Sequence, residues 1–150
     1  MTLARLDLFI PAAEAAAHAQ KMLAQISALQ NAAVELADNS VITRGKISLG
    51  LSVPFEARWH VAALATHNVI LTLQHLDARV FGMGATALSA ALMKFISTRL
   101  AEEPGIRVEG NAIYVDAAIV LKQQFGVELR GTLREVATTR EGVSIRVEPS

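Results

Sequence analysis

The chain has 150 residues, no cysteine, and 14 cationic against 14 anionic side chains, so its formal net charge is zero. The missing thiols exclude disulfides, thiolate nucleophiles and cysteine-ligated metals. The charges also balance locally, and without a basic segment the sequence excludes the electrostatic footprint of a nucleic-acid binder.

Leu3–Ile10 alternates weakly and predicts a short strand, which Pro11 ends at a place suited to the first turn of a helix. From Ala12 to about Ala33 the residues are good helix formers. Met22, Ile26, Leu29 and Ala33 fall at i, i+4, i+7 and i+11, a single inward stripe on a helix of ~33 Å. Val34–Thr43 then reads as a strand, a turn at Asp38-Asn39, and entry into a meander.

The stretch 46–81 carries the strongest pattern. Ile47, Leu49, Leu51 and Val53 alternate with small or polar residues, and after Pro54 the alternation resumes with Phe55, Ala57, Trp59 and Val61. A third run, Asn68–Phe81, carries Val69, Leu71 and Leu73 on one parity and Leu76, Ala78 and Val80 on the other. Period-two alternation marks strands with one buried face, and the change of parity around His75 predicts a bulge. Three consecutive antiparallel strands follow from this pattern.

Gly82-Met83-Gly84 reads as a joint, and Thr86 as the cap of a second helix reaching about Ala101. Leu88, Leu92, Phe95 and Ile96 form its stripe. With Ala90, Ala91, Met93 and Leu100 added, few polar positions remain, which predicts burial on more than one side. Glu102-Glu103-Pro104-Gly105 stops it. Ile106–Glu109 and Ala112–Val115 flank the hairpin turn Gly110-Asn111. Asp116 caps a short helix, Ala117–Phe125, that Gly126 ends. Val127, Leu129 and Leu133, then Val143, Ile145 and Val147, alternate on either side of a loop at Thr138–Gly142 and predict a closing hairpin. The expected fold is a single α+β domain: a curved, mainly antiparallel sheet of meander and hairpins wrapped on a long helix, with a second apolar helix.

No catalytic constellation emerges. His18, His60, His67 and His75 are scattered, short of the three or four converging ligands that zinc needs. Gly82–Thr86 lacks the lysine and spacing of a phosphate-binding loop. Ser89, Ser97 and Thr98 have no nucleophile motif around them, and helix capping accounts for Asp116. Neither a cofactor nor enzymatic activity is expected.

The hydrophobic share is 52% and the mean hydropathy +0.36, above the roughly 45–50% apolar content of typical domains. Alanine supplies much of it. An alanine-rich core is one account; an apolar interior that also holds a ligand is the other. The second account makes Leu88, Leu92, Met93, Phe95 and Ile96 one wall of a groove, with Met93 and Met83 adding adaptability, and Trp59 and Leu71 of the meander facing them. No run of about 18 apolar residues predicts a membrane span, and the charged start, Met1–Asp7, does not read as a signal peptide. A cytoplasmic location is expected.

The stretch Pro104-Gly-Ile-Arg-Val-Glu-Gly-Asn-Ala-Ile-Tyr-Val-Asp116, followed by Phe125-Gly-Val-Glu-Leu and Glu141-Gly-Val-Ser-Ile, resembles small bacterial domains of unknown function related to the tubular lipid-binding (TULIP-like) superfamily. The resemblance covers about Pro104–Val147. It implies lipid held between a long helix and a wrapped sheet, and it carries over no catalytic residue. The expected function is therefore non-enzymatic binding of a lipid-like molecule, with peripheral membrane contact and homo-oligomer formation as further options. The alternative is a structural, self-associating protein whose apolar face packs on a partner.

Overall fold

The computed structural model describes residues 6–48, 50–64, 68–78, 85–129 and 131–148. In chain order they form β1 (Leu6–Pro11), α1 (Ala12–Leu23), β2 (Leu29–Ala37), β3 (Ser40–Ser48), β4 (Ser52–Leu64), β5 (Asn68–Ala78), α2 (Ala85–Leu100), β6 (Ile106–Glu109), β7 (Ala112–Asp116), α3 (Ala117–Phe125), β8 (Thr132–Thr139) and β9 (Gly142–Glu148). The fold is α+β with antiparallel sheets. One sheet has six strands in the order β2-β3-β4-β5-β7-β6, the other three in the order β1-β9-β8.

The six-stranded sheet grows from hairpins between neighbours in the chain. Asp38-Asn39 makes the β2–β3 turn, with Asn39 at φ 53, a left-handed conformation that asparagine tolerates better than most residues. The next turn differs from the expected break at Pro54. It lies around Gly50, whose φ of 83 suits a turn, and Leu51 beside it is 75% exposed. Pro54 instead continues β4 opposite Lys46, since its fixed φ is compatible with extended chain. Between β4 and β5 the register shifts after Arg58: Arg58 pairs with His75 and Trp59 with Leu73, so Gln74 is the extra residue of a bulge. That bulge puts both Leu73 and Leu76 into the core, which the change of parity requires.

The long first helix is corrected. α1 ends at Leu23 and has no buried residue, while Leu29 and Ala33 belong to β2. Backbone bonds from Gln25 N–H to Met22 O, from Ile26 N–H to Leu23 O and from Leu29 N–H to Ile26 O turn the chain out of the helix. Asn31, at φ 53, is then incompatible with helix. The ladder between β2 and β3 satisfies backbone groups that a longer helix would have satisfied internally, and it also buries Leu29, Val34 and Leu36. The spacing of Met22, Ile26 and Leu29 fits a helix stripe, but here it comes from a helix end, a turn and a strand.

Other local readings hold. Asp116 accepts hydrogen bonds from the N–H groups of Ala118 and Ile119 at the start of α3, and Gly126 at φ 69 closes it. β6 and β7 pair across Gly110-Asn111. The closing hairpin is β8–β9, although β8 begins only at Thr132; Val127 and Leu129 precede it in irregular chain. The sequence pattern does not reveal the partner of β1. It pairs with β9, from Leu6 opposite Val147 to Pro11 opposite Gly142.

The inner face of the six-stranded sheet carries two cores. In the first, Leu88, Leu92, Met93, Ile96 and Leu100 of α2 pack on Phe55, Ala57, Trp59, Leu73 and Leu76. In the second, Val61 of the same sheet meets Leu133, Val136, Ile145 and Val147 of the small sheet, with Ala117 and Leu121 of α3. Val41 and Leu71 touch both. Thr138 ties the sheets together: its hydroxyl donates to Ala37 O at 2.8 Å, and its carbonyl accepts from Asn39 N–H.

Candidate functional site

α2 positions most of the residues expected to line a groove, and it buries them. Leu88, Leu92, Met93 and Ile96 are each 7% exposed or less, and Trp59 is 4% exposed. The Trp59 indole N–H donates to the Thr43 hydroxyl at 3.1 Å, so even its polar atom is satisfied inside. These side chains form packed core. Phe95 and Leu71 remain half-buried at the margin of that core.

Burial of α2 on more than one side is also corrected. Ala87, Ala90, Lys94 and Thr98 make an exposed stripe along the helix. Alanine adds so little apolar surface that it sits in water at small cost, and reading it as a buried position widens the stripe artificially.

Beside that exposed stripe lies a concavity. Phe95, Thr98, Arg99 and Glu102 follow at i, i+3, i+4 and i+7 along one flank of α2 and its continuation, facing the turn after α1. Together with Lys94 and with Gln25, Ile26, Ser27 and Ala28 of that turn, they enclose an open cleft of about 420 Å³. The turn is held in place from below. Ile26 is buried in the first core, and Ala28 O accepts from Ser48 N–H of β3. Arg99 Nη2 donates to Gln25 Oε1 at 2.7 Å across the cleft, and Arg99 Nη1 lies 3.9 Å from Glu102. The Thr98 hydroxyl is engaged with Lys94 O at 2.9 Å, back along its own helix.

Gln25, Ala28, Lys94 and Arg99 escaped the sequence reading, and Ile26 entered it only as part of an inward helical stripe. A helix running to Ala33 hides the turn, and polar residues on an apolar helix look like its solvated side. Lys94, the lone cation in the middle of α2, was the available signal.

A second concavity, about 290 Å³, lies on the outer face of the small sheet, lined by Asp7, Phe9, Glu135, Ser144 and Arg146 among others. Arg146 sits between Asp7 at 3.7 Å and Glu135 at 3.3 Å; its Nε is buried and donates no hydrogen bond among the described residues, so the carboxylates balance its charge without saturating its donors.

The outer face of the large sheet carries a charge triad. Arg44 bonds Glu35 and Glu56 at 2.6 Å each, across β2, β3 and β4. The hydrogen bond from Arg44 holds the Glu35 carboxyl below its ordinary value, and the same bond, with that to Glu56, raises the Arg44 guanidinium. These groups are about half exposed and bridge strands.

The described histidines, His18, His60 and His75, do not converge. His18 packs on Phe125 with ring centroids 4.5 Å apart, and His60 and His75 project to solvent from β4 and β5. Among the described residues no three His, Asp or Glu side chains gather as metal ligands, and no helix is long and apolar enough to cross a membrane. His67, Val80, Phe81 and the joint Gly82-Met83-Gly84 lie outside the described residues, as does the expected capping side chain of Thr86.

No family model, curated protein or solved structure matches this chain.

Proposed function

We propose that this protein is a non-enzymatic binder of a lipid-like molecule whose apolar chain lies in the cleft between Phe95 and the Ile26–Ala28 turn. The observation that carries this reading is the cleft's floor. Ile26 belongs to the first core, and Phe95 and Ala28 pack against that core while reaching its surface. An apolar chain laid there extends the core and removes Phe95 and Ala28 from water. The cleft's volume of about 420 Å³ falls in the range of roughly 300–1,000 Å³ typical of small-molecule sites. The TULIP-like resemblance supports it as well, because those domains hold lipid between helix and sheet. On this reading the large sheet curves about α2, with the Gln74 bulge as its bend. The buried residues Leu88, Leu92, Met93, Ile96 and Trp59 then back the site rather than line it, and Leu71 supports them from the second core.

Native mass spectrometry after gentle purification tests the proposal. A co-purified lipid, or uptake of a fluorescent fatty-acid probe, is expected, and both should vanish in a Phe95→Glu variant that keeps the wild-type melting transition. A clean apo mass, no probe uptake and a stable oligomer would contradict binding and favour self-association.

A further inference from the structure

The charges around the cleft point to the polar end of its ligand. We propose that the cleft selects a singly charged amphiphilic anion, a long-chain carboxylate, with the Lys94 ammonium receiving the head group. This rests on the hydrophobic-ligand reading above and adds the head-group chemistry to it.

The charged residues lining the cleft are Lys94, Arg99 and Glu102. Arg99 is already committed: it bonds Gln25 across the cleft and has Glu102 beside it. Among the described residues no carboxylate pairs with Lys94, so its exposed ammonium keeps its donors for a ligand. Three N–H donors on one charged nitrogen suit a carboxylate, and charge-assisted bonds of this kind are roughly twice as strong as neutral ones. Two cations against one carboxylate leave the rim at a net charge of one positive. A monoanion balances that charge, whereas a dianionic phosphate would be left with excess negative charge close to Glu102. A neutral head group would leave the ammonium unpaired beside an apolar chain, and a cationic one would be repelled. Lys94 precedes Phe95 directly, so head group and chain are recognised at adjacent positions of one helix.

Titration with dodecanoate, dodecanol and dodecylammonium reads the head group at constant chain length. Dodecanoate should bind about tenfold more tightly than dodecanol, as expected for one charge-assisted contact, and dodecylammonium most weakly. Lys94→Gln should reduce the preference for acid over alcohol to near unity, while Lys122→Gln on α3 keeps it; melting curves establish that both variants fold. Equal affinity of the wild type for acid and alcohol, tighter binding of the amine, or a preference that survives Lys94→Gln would overturn the head-group inference and leave the hydrophobic-ligand reading standing. If no dodecyl ligand binds, both fall.

Discussion

The two cores differ in the distance their chain travels to close them. The first unites β2 to β5, α2 and the β6–β7 hairpin, elements that mostly follow one another. The second brings β1 from one end of the described chain to β8 and β9 at the other. Both rest on the same face of the same sheet, and Val41 and Leu71 touch both. Local alternation and tight turns can therefore specify the first core step by step, whereas the second needs a pairing between segments more than a hundred residues apart, which costs loop-closure entropy before it gains contacts.

The largest effect should come from truncating the first core. Leu92 is 1% exposed, and Leu92→Ala should cost about 2–5 kcal/mol. Because β4 and β5 serve both cores, chemical denaturation should still show one transition at a lower midpoint; two separate transitions would mean that the cores are independent units. A smaller effect should follow at the seam of the second core. A Cβ at Gly142 would collide with the Ile10 carbonyl and lie 2.8 Å from Phe9 Cζ. Gly142→Ala should therefore cost on the order of 1–3 kcal/mol and raise amide exchange along β1 while β4 stays protected. Equal deprotection of β4 would contradict a lesion confined to the seam.

The smallest effect belongs to the solvent face. The Glu35 carboxyl is held below its ordinary value of 4.5 by Arg44. A depressed folded-state pKa gives stability that is present above the usual carboxylate range and lost as pH falls through the folded value. Exposure of about half of each side chain keeps this contribution slight. In Arg44→Gln, carboxyl NMR should show Glu35 titrating nearer 4.5, and an unmoved titration would remove Arg44 as the cause.

The legibility of the fold follows the same division. Phe55 to Val61, the Asp38-Asn39 and Gly110-Asn111 turns, and the Asp116 and Gly126 caps are local signals, and all reappear in the structure. The parity change between Leu73 and Leu76 even located the bulge to within a residue. Sheet membership was not legible, because the alternation of Leu8, Ile10, Val143 and Ile145 is the same whichever strand they meet. At Met22–Leu29 a 3.6-residue period arose by accident across a turn, and tertiary pairing overrode helix propensity. The candidate site was half visible. Its apolar helix stood out, but hydrophobicity selects the buried face, and a cleft opens where packing stops, at Phe95, Lys94 and the turn at Gln25–Ala28.

The most direct test of the account is where a ligand touches the protein. Amide and methyl NMR of the wild type titrated with dodecanoate should shift residues 25–28 and 94–102 and leave Leu88, Leu92 and Trp59 close to their apo positions. Large shifts at those three core residues, with the cleft residues unmoved, would place the ligand between α2 and the sheet and contradict the surface cleft as its site.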